Sequence, residues 1–260
     1  IYDNIRSLII GKLYSSAELA YYNQGDKFPY VVVANINTSI DSVLLPTMAT
    51  VQDNYVRVKA MTRRAIKTST YIMAPLMMGL AFCAEPIVRL VLTDKWLPCV
   101  PFLRIFCITY MFYPIHTANL NAIKAMGRSD LFLKLEIVKK IMGLTILLVT
   151  MHWGVIVMAY SLLLSSLLSQ IINSWPNWKL LNYNYLEQLK DILPSIALAF
   201  FMGCCVDLIS LLQLSDFITL LIQIPLGAAI YITFSAIGRI DSFEYLWNMI
   251  NERIKRRDRT

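Results

Sequence analysis

LFLKLEIVKKIMGLTILLVTMHWGVIVMAYSLLLSSLLSQIINSW, residues 131–175, decides the fold. It consists of two apolar runs, 131–153 and 154–175, meeting at a turn with no Lys or Arg. Each run is long enough to cross a bilayer, because about 20 mostly apolar residues span roughly 30 Å of hydrocarbon. The same pattern continues outward in both directions. Runs at 28–50, 69–93 and 100–123 come before it, and runs at 190–212 and 217–238 follow. Residues 1–22 read as the end of a more polar helix. The fold class is all-α, a polytopic transmembrane helical bundle.

The basic residues give the orientation. Arg57, Lys59, Arg63, Arg64 and Lys67 fall in one gap, Lys124, Arg128 and Lys134 two gaps later, and Lys179 and Lys190 two after that. The tail adds Arg253, Lys255, Arg256, Arg257 and Arg259. The alternate gaps hold only Lys27, Arg89 and Lys95, or none. Positive charge marks the cytoplasmic side. The basic gaps and the C-terminus are therefore expected in the cytoplasm, with short loops facing outward. A net charge of +7 spread over several loops fits topology and attraction to anionic lipid, and argues against nucleic-acid binding.

A hydrophobic fraction of 57% exceeds that of ordinary soluble domains, and no gap is long enough to hold one. Cys83, Cys99, Cys107, Cys204 and Cys205 lie mostly inside apolar runs without CxxC spacing. They read as small packing residues, with no disulfide framework or metal site implied. No cleavable signal peptide is apparent. The start at Ile1, without Met, predicts a piece of a longer chain.

Polar groups inside the membrane are costly and are usually there for function. In 28–50, Asn35, Thr38, Ser39 and Ser42 share a face at steps of three and four. Asp41 is the one acidic group well inside that run. These residues form either a cavity wall, with Asp41 as a protonatable or cation-binding carboxylate, or a set of interhelical hydrogen bonds. In 100–123, Tyr113, Thr117, Asn121 and Lys124 form a stripe with His116 and Asn119 beside it, and Pro114 predicts a kink. Bent helices of this kind often line transport sites. A lone histidine such as His116 is more often a hydrogen-bonded structural group than a proton carrier. In 131–153, Glu136 and Lys140 stand in the favourable i,i+4 order for an ion pair, which would leave Lys139 free to face a cavity or a lipid phosphate. Ser161, Ser165, Ser169 and Asn173 read as a small-residue packing seam. Glu85 and Arg89 read as an interfacial pair, and Trp96, Tyr21 and Tyr22 as an outer aromatic belt.

No Gly-rich phosphate loop, HExxH, CxxC or GxSxG motif occurs. This argues for transport over catalysis: no enzyme, no cofactor and no metal.

Four stretches carry a family resemblance: LIIGKLYSSAELAYY at 8–22, FPYVVVANINTSIDSVLLPTMA at 28–49, RRAIKTSTYIMAPLMMGLAFCAEPIVRLVLTDKWLPCVPFLRIF at 63–106, and NLNAIKAMGRSDLFLKLEIVKK at 119–140. The chain resembles the Wzx-type polysaccharide flippases, the lipopolysaccharide and capsule branch of the multidrug/oligosaccharidyl-lipid/polysaccharide exporter superfamily. The resemblance implies the C-terminal half of a two-lobe, fourteen-helix protein. Residues 1–176 would be the C-terminal lobe (family helices 7–12, the first truncated), 177–250 two additional helices, and 251–260 a basic cytoplasmic tail. It also implies a lipid-linked oligosaccharide on undecaprenyl diphosphate as substrate and H+ or Na+ as coupling ion. The N-terminal lobe of the same protein and membrane lipid would be partners, in a bacterial cytoplasmic membrane. On that footing Asn35, Thr38 and Asn121 would meet sugar hydroxyls. Lys124, Arg128 and Lys139 would meet the diphosphate, and Asp41 or Glu136 would carry the ion. A drug or cation exporter of the same superfamily, or a membrane polymerase or glycosyltransferase, are the alternatives.

Overall fold

A computed structural model describes residues 4–257, and these form helices and turns with no strand. Each apolar run becomes helical, but the boundaries differ from the sequence reading at the start of the chain. Among the described residues, 4–22 do not end one helix before a second begins at 28. Instead a short helix α1 (Ile5–Leu13) is followed by one long helix, α2 (Ser16–Ala49). The cause is a capping box. Ser15 Oγ accepts from the Glu18 backbone N–H at 3.2 Å, and Glu18 Oε2 accepts from the Ser15 N–H at 3.1 Å, which starts a helix at Ser16. The polar turn Asn23–Lys27 therefore lies inside α2.

Run 69–93 falls in α3 (Tyr55–Phe82) and α4 (Ala84–Leu92), bent by 69° at their junction. Run 100–123 becomes α5 (Val100–Met111) and α6 (Tyr113–Ala125), with Pro114 in the first turn of α6. Proline has no N–H to continue the ladder, so the helix breaks at Phe112 where the kink is expected. Then come α7 (Ser129–Thr150), α8 (Val155–Leu181), α9 (Tyr185–Asp207), α10 (Asp216–Ile237) and α11 (Asp241–Arg257). Helix α8 continues past residue 176, and α11 runs into the basic tail. The expected tail residues 258–260 lie outside the described residues.

Among the described residues five helices qualify as spans by length and apolarity, or six with the bent α3–α4 pair, against the seven runs read from the sequence. Helix α7 is long enough at 22 residues. It falls short because Lys134, Glu136, Lys139 and Lys140 crowd its first half.

Helix α3 is central and packs against α9, α5, α6 and α2, while α8 lies against α7 and α5. The main core gathers Met73, Met77, Leu103, Phe106 and Met158. A second core joins Met48, Ile115, Tyr183 and Ile192. Cys83 at the α3–α4 junction, Cys99 and Cys107 are buried free thiols, as packing residues would be, while Cys204 is exposed and Cys205 half-buried on α9.

Contacts between turns sort the bundle into two ends. Tyr14 Oη donates to Met151 O and accepts from the Gly154 N–H, both at 2.8 Å, and Tyr21 meets Trp96 edge-to-face at 6.0 Å. Gly154 has φ +105°, a conformation open in practice to glycine alone, and this lets α7 turn directly into α8. At the opposite end lie most of the basic residues. Lys59 donates to Asn182 O, and Arg63 donates through Nε and Nη2 to both oxygens of Asp191 at 2.7 Å. Tyr183 Oη adds a bond to Asp191 at 2.8 Å.

The expected Glu85–Arg89 pair does not form. Helix α4 is short and bent away, so Glu85 lies 3.7 Å from Arg104 and Arg89 lies 3.8 Å from Asp94.

Helix α11 is clasped to α3 by Lys67 Nζ, 2.5 Å from Asp241 Oδ2. The Lys67 hydrogen bond and charge hold the Asp241 carboxyl below the usual carboxylate range. A depressed folded pKa gives a contribution present above the unfolded value, about 4, and lost as pH falls through the folded value. We predict that Asp241→Asn speeds amide exchange in α11 at pH 7 and makes no difference near pH 2. Equal exchange at pH 7 would remove the clasp.

Candidate functional site

A cavity of ≈ 720 Å³ opens between α1, α2, α5, α7 and α8. Tyr22, Asp26 and Tyr30 contribute to it from one face of α2 at i, i+4 spacing. The Tyr110 hydroxyl donates to Asp26 Oδ1 at 2.5 Å. An aromatic chain backs the carboxylate: Tyr22 on Phe106 with ring centroids 5.1 Å apart, and Tyr110 on Tyr113 at 4.8 Å. Arg6 of α1 reaches across to α8, donating to Ser161 Oγ at 2.8 Å and to Met158 O.

A second cavity of ≈ 310 Å³ shares Tyr113, Gly143, Leu162 and Ser165 with the first, so the two share a wall. Its charged members are Glu136, Lys139 and Lys140. Lys139 Nζ lies 2.5 Å from Glu136 Oε1, an i,i+3 pair, and the Lys139 side chain is only 14% exposed. This corrects the expectation of a free Lys139: it is paired with Glu136, and Lys140 lines the same cavity from a more exposed position on α7. His116 also lines this cavity, with Nδ1 3.0 Å from Asn173 Nδ2 and Nε2 3.4 Å from Ser166 Oγ. Both ring nitrogens thus have partners in the α8 seam.

Beyond His116, a buried amide network joins α6, α8 and α9. Asn119 Nδ2 donates to Gln188 Oε1 at 2.8 Å, and Gln188 Nε2 returns a bond to Asn119 Oδ1 at 3.2 Å. Asn177 Nδ2 donates to the same Asn119 Oδ1 at 2.7 Å, and Ser174 Oγ donates to Gln188 Oε1 at 3.0 Å. All four side chains are fully buried.

Of the residues singled out from the sequence, Glu136 and Lys139 meet in the second cavity. Asp41 and Asn121 also meet, with Asn121 Nδ2 donating to Asp41 Oδ1 at 2.6 Å across α2 and α6. Lys124 lies over the Phe132 ring at 5.1 Å, and Arg128 makes two bonds to Asp130 at 3.0 and 3.1 Å. Neither lines the two cavities. Asn35 and Thr38 stand on the exposed face of α2, where their side chains donate to Val31 O at 2.7 Å and Ala34 O at 2.8 Å. Ser39 and Thr47 fold back in the same way, onto Asn35 O at 2.8 Å and Val43 O at 2.6 Å.

Asp26 and Tyr110 are the members that sequence reasoning missed. Two signals could have found them. Ser15-x-x-Glu18 announces a helix start that makes 23–27 helical, and Tyr22, Asp26 and Tyr30 then share a face.

Residues 1–101 match the family described as "Polysaccharide biosynthesis protein". Over 193 residues the chain is 26% identical to an "Uncharacterized membrane protein in cps region" of Klebsiella pneumoniae, covering 74% of this chain and 38% of that protein. It is 23% identical to the lipopolysaccharide biosynthesis protein WzxC of Escherichia coli K12, covering 66% of this chain and 34% of WzxC. With the teichuronic acid biosynthesis protein TuaB of Bacillus subtilis 168 it shares 21% identity, over 77% and 42% of the respective chains. It thus spans less than half the length of these relatives. The lipid II flippase MurJ, in its inward closed conformation, superposes with a TM-score of 0.75 at 18% identity, covering 92% of this chain and 52% of MurJ. The fold is therefore shared with a flippase. By sequence this multi-pass membrane protein is similar to membrane proteins of polysaccharide biosynthesis, and by fold it is similar to the lipid II flippase MurJ.

Proposed function

We propose that the chain forms one lobe of an exporter that flips undecaprenyl-diphosphate-linked oligosaccharides from the inner to the outer leaflet of a bacterial cytoplasmic membrane, by alternating access driven by an ion gradient. The observation that carries this reading is the pair of adjoining polar cavities buried between apolar helices of a fold shared with a lipid flippase. Moving a sugar chain and a diphosphate through hydrocarbon requires a path that supplies hydroxyls, amides and charge. Lys139 would meet the diphosphate as a point charge, with Lys124 and Arg128 at the basic end where the substrate enters. Asp26 joins Asp41 and Glu136 as a carrier of the coupling ion, H+ or Na+, because it stands in the larger cavity hydrogen-bonded to the Tyr110 phenol. The C-terminus would be cytoplasmic, and the N-terminal lobe would close the path.

One observation favours a second reading, an exporter of organic cations. Asp26 is ringed by Tyr22, Tyr30 and Tyr110, and aromatic faces with a carboxylate suit a cation.

The test is complementation by the full-length protein in a bacterium lacking its own polysaccharide flippase. Surface polysaccharide would be restored and lipid-linked repeat units cleared from the cytoplasmic leaflet. In that assay Asp26→Asn and Lys139→Ala are each expected to lower display about tenfold, near 1.4 kcal/mol of barrier, at unchanged protein level. Persistent build-up, together with efflux of a labelled organic cation, would favour the second reading instead.

A further inference from the structure

At the basic end, α3 and α11 enclose a separate cavity of ≈ 370 Å³. Arg64 and Thr68, one turn apart on α3, line it with Arg63 and Lys67 beside them, and Asp241 and Tyr245 close it from α11. Two of the three cations are engaged, Arg63 by Asp191 and Lys67 by Asp241. Arg64 differs. Its guanidinium carbon lies 4.4 Å from the centre of the Tyr245 ring, and among the described residues no carboxylate pairs with it. Lying over a ring occupies the face of a guanidinium and leaves its edge N–H donors for an anion.

The surroundings select which anion. Phe234 and Ile237, on the last turn of α10 just before α11, are exposed, as are Trp247 and Ile250 of α11. The cavity thus lies where a spanning helix ends, Asp241 standing four residues along the chain from Ile237, and exposed apolar and aromatic side chains at a helix end are the composition of the lipid–water boundary. The sequence then continues through Arg253, Lys255, Arg256 and Arg257, raising the local positive potential toward an anionic leaflet. From these observations we infer that the α3–α11 cavity seats the headgroup phosphate of an anionic phospholipid, with Arg64 as its ligand and the acyl chains along Phe234 and Ile237.

The test uses the full-length protein in detergent, titrated with dioctanoyl phosphatidylglycerol or dioctanoyl phosphatidylcholine and read by native mass spectrometry. Phosphatidylglycerol should bind and phosphatidylcholine should not. Arg64→Gln should weaken phosphatidylglycerol about fivefold, while Arg57→Gln, on the same helix outside the cavity, should leave it unchanged. Equal binding of the two lipids, or full affinity in Arg64→Gln, would overturn the assignment. So would displacement of phosphatidylglycerol by millimolar inorganic phosphate, which would identify a free-anion site. If Arg64→Gln does not fold, the unmodified protein still decides: its thermal midpoint must rise with phosphatidylglycerol and stay put with phosphatidylcholine.

Discussion

Gly25→Ala is expected to destabilise the bundle by about 3 kcal/mol, lowering the thermal midpoint by roughly 6–12 °C. Gly25 lies at the contact between α2 and α5, and a Cβ there would stand 2.7 Å from Phe102 Cβ, 2.9 Å from Leu103 N and 3.0 Å from Cys99 O. Two of the three neighbours are backbone atoms, so no rotamer change can relieve the clash; the helices must separate. Helix pairs in membranes rely on small residues for this close approach, because lipid tails compete equally for any larger apolar side chain. The same separation would pull Tyr22 off Phe102 and Phe106, and these rings back the larger cavity. Gly203 provides the comparison. A Cβ there comes within 2.2 Å of an atom, but that atom belongs to the Phe82 ring, at the end of α3 where the ring can swing. Gly203→Ala should therefore cost less than Gly25→Ala. Thermal unfolding of both variants in detergent measures the order, and a reversed order would refute the backbone-contact argument.

Asn119→Leu, similar in volume to the native side chain, is the second large effect. It removes the centre of the amide network: Gln188 loses both of its bonds to Asn119 and Asn177 loses its bond to Oδ1, while Ser174 keeps Gln188 and Asn177 keeps the backbone carbonyl of residue 119. An orphaned buried polar group costs about 1–3 kcal/mol, while single hydrogen bonds between membrane helices average nearer 0.6. With two groups affected, Gln188 at both its donor and its acceptor, about 2–4 kcal/mol is expected. The double variant Asn119→Leu, Gln188→Leu should recover part of the loss, because removing both partners spares the desolvation penalty. A double variant as unstable as the sum of the singles would mean the network contributes through shape rather than hydrogen bonding.

Helix positions were legible in the sequence because hydropathy is additive along a chain. Every apolar run from 28 to 238 became helical, and Pro114 announced the break at Phe112. The failures came where tertiary contact decides. The segment Asn23–Lys27 reads as a polar gap between apolar runs, yet Gly25 buries it against α5, and Asp26 meets Tyr110 from a distant part of the chain. A window that averages hydropathy treats such a turn as a loop. The i,i+4 rule brought Glu136 near a lysine but did not show that Lys139, at i+3, is engaged by the same carboxylate, since both lysines lie within one turn of it. Asn119 was passed over as a neighbour of the Asn121 stripe because its partners sit on α8 and α9, more than fifty residues away.

The exposed face of α2 carries hydroxyls and an amide that donate their protons into the helix's own carbonyls. Such a face is amphibious. With its hydroxyl protons already spent, it leaves only the second N–H of Asn35 unmet when hydrocarbon or an empty space lies against it. Its oxygen lone pairs remain available, so a hydroxyl-rich cargo can be received as a donor and released again without any bond in the helix having to break.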